Sequence, residues 1–237
     1  MFKFLQKILK NAIFYDRWTC NVCGSEIFFG FFCDECLKKI EYIGENKCNH
    51  CGRKTVYKTG YCESCIDKNI SFNTARSVFN YKSPISEVIQ NFKYSNKRYL
   101  SRYFAEELFK IFKAENLFGD VITYVPMHES RLKERGFNQA YLIAKEFSTL
   151  CKTEVKELVK KVKETERQAK LSYTERLKNL KSSFKVTGDV SGKNVILIDD
   201  VLTTGATVDT ISNLLKKKGA KNVTVLTVAS VQRNKQP

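Results

Sequence analysis

From residue 71 onward, apolar and polar positions alternate between two rhythms. Residues 74–81 (TARSVFNY) read as a strand, 120–125 (DVITYV) as a buried strand ended by Pro126, and 222–229 (NVTVLTVA) as another strand. Residues 195–198 (VILI) are wholly apolar, as in a strand covered on both faces within a parallel sheet. Between the strands the spacing is helical. Ser83 and Pro84 open a helix carrying Ile85, Val88, Ile89 and Phe92. Further helices are expected over 99–112, 138–150 and 207–218, the last closed by Gly219. Strand, helix and strand within residues 195–229 form a βαβ unit, so this region is predicted to be α/β, a parallel sheet flanked by helices.

Upstream the pattern is set by cysteine. Residues 20–36 read CNVCGSEIFFGFFCDEC and residues 48–65 read CNHCGRKTVYKTGYCESC, an internal duplication. Cys20, Cys23, Cys33, Cys36, Cys48, Cys51, Cys62 and Cys65 form four Cys-x-x-Cys knuckles, each a turn that offers two sulfurs to one tetrahedral ion. Gly24 and Gly52, after the leading knuckles, permit the positive φ that turns the chain back. The expectation is a small zinc-ribbon-like module with two structural zinc sites, each held by four cysteines. Disulfides and redox chemistry fit four tandem knuckles less well. Spacing leaves open whether ligation is sequential or cross-braced; the duplication favours sequential. His50 is expected in solvent and Cys151 as a small buried hydrophobe. The boundary falls near residue 70: an N-terminal helix plus the duplicated module over 1–70, and the α/β domain over 71–237. The first residues lack the continuous apolar core of an export signal, with lysines at 3, 7 and 10, and the apolar stretch at 27–32 is far too short to span a bilayer. A cytoplasmic protein without a transmembrane segment is expected.

Charge changes the picture further. Lys plus Arg minus Asp plus Glu is 41 − 25 = +16, and eight thiolates with two zinc ions bring this to about +12. Residues 71–237 alone hold 30 basic against 17 acidic side chains, a surplus of +13. The surplus favours a polyanionic partner, nucleic acid first and an anionic membrane surface second, with a generally lysine-rich composition as the bland alternative. Within residues 92–104 (FKYSNKRYLSRYF), Lys93, Lys97, Arg98 and Arg102 interleave with Tyr94, Tyr99 and Tyr103. Cations for phosphates and rings for bases suit single-stranded nucleic acid; an amphipathic helix pair with its aromatics inward is the competing reading.

The sharpest chemistry is VILIDDVLTTGATV at 195–208. A strand delivers Asp199 and Asp200 at its carboxyl end, where open α/β sheets bind ligands. Thr203, Thr204, Gly205, Ala206 and Thr207 then lead into a helix whose first amides can surround a phosphate. Acids for vicinal hydroxyls beside a phosphate cradle describe a ribose 5-phosphate site. No GxxxxGK[ST] or GxGxxG motif is present.

This stretch resembles the phosphoribosyl pyrophosphate (PRPP) signature of type I phosphoribosyltransferases. With the knuckles, YKSPISEVIQNFKY at 81–94, VP at 125–126, RLKERGFNQA at 131–140 and TERQAKLSYTERLKNLKSSF at 165–184, the chain resembles the ComF family of competence proteins over almost its whole length. The resemblance implies a type I phosphoribosyltransferase-like fold that binds PRPP or ribose phosphate with Mg²⁺. It implies a hood near the pyrophosphate containing Arg131, Arg135, Asn138 and Gln139, with Arg176 and Asn179 close by. It further implies handling of single-stranded DNA during natural transformation, with a helicase-like competence partner. The alternative is an enzyme transferring phosphoribosyl from PRPP to a nucleobase or related acceptor. In that case Mg²⁺ and cations neutralise departing pyrophosphate around an oxocarbenium-like state.

Overall fold

The structure, a computed structural model, describes residues 19–55, 60–66, 69–163, 180 and 182–232. The expected N-terminal helix and the stretch holding Arg176 and Asn179 lie outside the described residues. One-turn helices α1 (Asp34–Leu37) and α2 (Glu63–Ile66) belong to the two ribbons. The α/β region then runs β1 (Thr74–Asn80), α3 (Ile85–Tyr94), α4 (Leu100–Ala114), β2 (Val121–Tyr124), α5 (Glu129–Arg135), α6 (Gln139–Cys151), the hairpin β3 (Val159–Lys161) and β4 (Phe184–Val186), β5 (Asn194–Leu202), α7 (Ala206–Lys217) and β6 (Asn222–Ser230).

The main sheet has order β1-β6-β5-β2 and every pairing in it is parallel. Period-two alternation sends successive apolar residues of its strands to the two covered faces. Ile196 and Ile198 of β5, with Leu226 and Val228 of β6, enter one core beside α3, α4 and α6. Val195, Leu197, Val223 and Val225 enter the other beside α7 and the hairpin. In the first core Phe92 and Phe104 meet edge to face at 5.4 Å and are fully buried; truncating either to Ala costs about 3–5 kcal/mol.

The two ribbons divide between these cores. Cys20, Phe32 and Cys36 of ribbon 1 join the α4 side, whereas Cys48, Cys51 and Cys65 of ribbon 2 join the α7 side. Two local expectations change. β5 does not stop at Ile198 but continues to Leu202, so both acids lie within the strand, held by its pairing to β6. Ser83 does not cap α3; its hydroxyl donates to Glu87. Residues 129–135 are helical, with His128 as the N-cap accepting from the Ser130 amide.

Candidate functional site

Each duplicated unit gathers its own four cysteines. Within each set the sulfurs lie within 4.8 Å of one another, so ligation is sequential and not cross-braced. Cys23 and Cys33 sulfurs are 3.7 Å apart, and those of Cys51 and Cys62 3.6 Å. A tetrahedron of Zn–S bonds of about 2.3 Å separates its sulfurs by about 3.8 Å, so both sets fit zinc. The Cys62 amide donates to the Cys48 sulfur, as a thiolate ligand requires. The ligand sets are complete with four sulfurs, which makes the sites structural. His50 is not in solvent: it is half-buried, its Nε2 donates to the Phe72 carbonyl at 2.8 Å, and its ring meets Phe72 edge-on.

The acid pair and the small-residue loop come together as the sequence predicts. Thr203–Gly205 form the bend after β5, and Gly205, at φ +82°, turns the chain into α7. A left-handed residue here favours glycine. The loop is braced from within, because the Ala206 amide donates to the Thr204 hydroxyl at 3.2 Å. The opening amides of α7 have no acceptor inside the helix and face the loop with the positive end of its dipole.

Burial, then the neighbouring Asp200 carboxylate, pushes Asp199 up to about 8. Its Oδ1 accepts from the Asp200 amide at 2.9 Å. Asp200 is not free: its Oδ2 is 2.7 Å from the Lys93 ammonium, which reaches across from α3. Burial alone would lower the Lys93 pKa, but the attraction of Asp200 and then Asp199 overrides it and holds the ammonium above its ordinary value. Lys93, expected on a nucleic-acid groove, is therefore a largely buried counter-ion of the acid pair, with 18% of its side chain exposed.

The neighbouring residue extends this corner. Tyr94, 70% exposed, carries the Arg135 guanidinium 4.7 Å over its ring and accepts from it at 3.0 Å. Arg98 lies 4.7 Å over the Phe137 ring. The basic stretch and the hood are thus one surface beside the acids. Arg131 is exposed on α5. Asn138 is the N-cap of α6: its oxygen accepts from the Tyr141 amide and its nitrogen donates to the Val125 carbonyl. Both polar ends are thereby committed to backbone. Gln139 is buried at the start of α6. Among the remaining basic residues, Lys97 donates to Asn21 of ribbon 1 and Arg102 pairs with Glu106. Tyr103 points into the core, as the amphipathic reading requires, while Tyr94 points out.

Comparison with known proteins places this geometry in a lineage. Residues 132–237 match the phosphoribosyl transferase domain family, and residues 11–66 match the double zinc ribbon domain family. "Competence protein F" of Haemophilus influenzae is 32% identical over 81% of this chain and 87% of its own. "Competence protein ComFC" of Bacillus subtilis is 30% identical over 92% and 87%. The chain belongs to the ComF family. "DNA utilization protein YhgH" of Escherichia coli K12 is 29% identical to this ComF chain over 87% of it and 94% of the relative. A solved purine phosphoribosyltransferase from Pyrococcus horikoshii aligns with 56% of the ComF chain and 73% of its own at 19% identity and a TM-score of 0.35, a likeness too loose to carry argument.

Two residues of this ComF chain not singled out from the sequence tie the ribbons to the α/β region. Asn21, buried in ribbon 1, accepts from Lys97 and, at 2.6 Å, from the Tyr99 hydroxyl. Arg53, buried in ribbon 2, donates through Nη2 to the Thr203 carbonyl at 2.7 Å. A signal for Arg53 existed. The repeat reads Cys-Asn-Val-Cys-Gly-Ser in one unit and Cys-Asn-His-Cys-Gly-Arg in the other, so Arg53 stands where the duplication has Ser25.

Proposed function

We propose that the chain binds PRPP, or ribose 5-phosphate, at the β5–α7 edge and uses this site in handling single-stranded DNA during natural transformation, on the cytoplasmic side and alongside a helicase-like partner. The observation that carries the reading is the union, on one strand end, of an acid pair already partnered by Lys93 with a glycine-turned helix start. Asp199 and Asp200 accept from the ribose hydroxyls, the Thr203–Thr207 loop holds the phosphate, and Arg131 and Arg135 stand on the pyrophosphate side. Mg²⁺ bound with PRPP would neutralise charge on the pyrophosphate. The acids give hard oxygen donors suited to that ion. The competence names of the relatives support the biological setting, and the exposed Tyr94, Arg98 and Arg135 corner supports the strand.

Calorimetry with PRPP and Mg²⁺ tests the site. Wild-type protein should bind, and Asp199→Ala with Asp200→Ala should abolish binding without releasing zinc; retained binding removes the assignment. For the strand, affinity should fall steeply with salt, and replacing Lys97, Arg98 and Arg102 by Ala should flatten that slope. Pyrophosphate release from PRPP with a panel of bases and nucleosides distinguishes the transferase reading, which predicts turnover with a free base and weak DNA affinity.

A further inference from the structure

Arg53 is 5% exposed, and its Nε has no hydrogen-bond partner among the described residues. Its side-chain hydrogen bond there is the one to the Thr203 carbonyl, and no carboxylate among the described residues pairs with it. A terminal nitrogen stands 3.5 Å from where a Cβ on Gly205 would be, so the guanidinium lies directly against the turn that opens α7. Burying a cation without an anion is costly. Here the cost falls beside a helix start that itself attracts anions, and the one carboxylate in its first turn, Asp209, is engaged by the Ser71 amide and forms no ion pair with Arg53 among the described residues.

The segment that presents Arg53 is held firmly. Gly52 has φ +66°, and a Cβ there would come within 2.3 Å of the Ala75 carbonyl oxygen, so the turn is pressed against β1. The Ala75 amide donates to the His50 carbonyl at 2.7 Å, and the Cys48 amide donates to the Arg53 carbonyl. On the far side of the loop, Asp209 in the first turn of α7 accepts from the Ser71 amide at 2.6 Å. Ribbon 2 and the phosphate loop are therefore one packed unit.

We propose that ribbon 2 is a working part of the anion site, with Arg53 as a positioning residue that holds the Thr203–Thr207 loop in shape and supplies the buried positive charge that a ligand's phosphate neutralises. The inference rests on the proposed sugar-phosphate reading. It adds a reciprocal link: zinc in ribbon 2 fixes Arg53, Arg53 favours the phosphate, and bound phosphate must then favour retention of that zinc.

The test uses the full chain with both zinc ions bound. Calorimetry with ribose 5-phosphate and, separately, with magnesium pyrophosphate compares wild type, Arg53→Met and Arg53→Lys. Arg53→Met should weaken ribose 5-phosphate about tenfold or more, the size expected for a lost charged hydrogen bond, and leave pyrophosphate within about twofold. Arg53→Lys should recover part of the loss, because charge remains while the planar fork is gone. In wild type, saturating ribose 5-phosphate should slow release of one zinc to a chelator several-fold and leave the other unchanged. This readout does not depend on a variant folding. Unchanged ribose 5-phosphate affinity in zinc-loaded Arg53→Met, or zinc release indifferent to ligand, overturns the proposal. A wild-type protein that binds neither ribose 5-phosphate nor PRPP would instead remove the sugar-phosphate reading and the proposal together.

Discussion

The two ribbons began as copies and now do different work. Ribbon 1 lies on the aromatic surface of α4: Phe31 is 5.1 Å from Tyr103, Phe32 is 5.0 Å from it, and Asn21 accepts from Lys97 and Tyr99. It braces the corner between α3 and α4, close to the turn of α3 from which Lys93 reaches Asp200. Ribbon 2 lies under the opposite core and touches the Thr203–Thr207 loop directly through Arg53. Corresponding positions diverge accordingly. Asn21 is buried where Asn49 is exposed, and Gly24 has open space around it where Gly52 is pressed against β1. Identical metal knuckles thus specify only a rigid turn; the side chains at their margins decide what the turn supports.

The widest separation between the halves should come from metal loss. Cys51→Ser should drop zinc from two ions per chain to one and carry sugar-phosphate binding away with it, because Cys51 is buried in the core shared with α7. Cys23→Ser, at an exposed ligand, should lose its zinc too yet keep ribose 5-phosphate affinity within about threefold, since that unit reaches the site only through helices. Zinc stoichiometry and calorimetry on both variants decide it, and equal losses would erase the asymmetry.

A smaller contrast lies at the paired glycines. Both have positive φ, so Ala at either costs about 1–2 kcal/mol of backbone strain, the one penalty they share. Gly52→Ala adds a collision with the backbone of β1, and its urea midpoint should fall further than that of Gly24→Ala by an amount worth about 2 kcal/mol or more. Similar midpoints would mean that ribbon 2 is not pressed on the sheet.

The next test bears on the acids that ribbon 1 reaches only indirectly. Burial and then Asp200 push Asp199 from 3.8 up to about 8, which favours its protonated form in the folded chain. An ionised carboxylate accepts from ribose hydroxyls more strongly than a protonated one, so affinity for PRPP should rise with pH until about 8 and then level. Lys93→Met should move that midpoint upward, because the Lys93 ammonium opposes the shift. Stability moves the other way. The folded carboxyl holds a proton that the unfolded one releases near 3.8, so this contribution is complete below that value and is lost as pH climbs through about 8. A flat affinity profile from pH 6 to 9 would contradict the burial of the pair.

The smallest effect is expected at Tyr99→Phe, which removes the hydroxyl bonded to Asn21. Thermal unfolding should register about 1 kcal/mol, with zinc content and phosphate affinity unaltered.

Much of the site is legible in the sequence, and the reason is local. A four-residue apolar strand, two acids and Thr-Thr-Gly-Ala-Thr lie within one short segment, so chain connectivity alone places carboxylates beside a helix start. The cysteine sets are legible for the same reason, since each needs only a knuckle, a short linker and a second knuckle. Lys93 misleads because its spacing among other cations and tyrosines suits a solvent-facing groove equally well; its burial depends on how α3 packs over β5. Asn138 is expected in the hood, and only the backbone around Val125 and Tyr141 shows that both ends of its side chain are spent on capping a helix.

The sequence by itself determined the alternation that makes a parallel sheet, the two four-sulfur sets, and the order of acids and small-residue loop along one strand and turn. Tertiary structure alone decided that ribbon 1 and ribbon 2 face opposite cores, that Lys93 meets Asp200, and that Arg53 meets a carbonyl 150 residues away. Periodicity and motifs report what neighbours along the chain will do. A charge crossing between packed layers is fixed by how those layers stack, and no local pattern of residues encodes that distance.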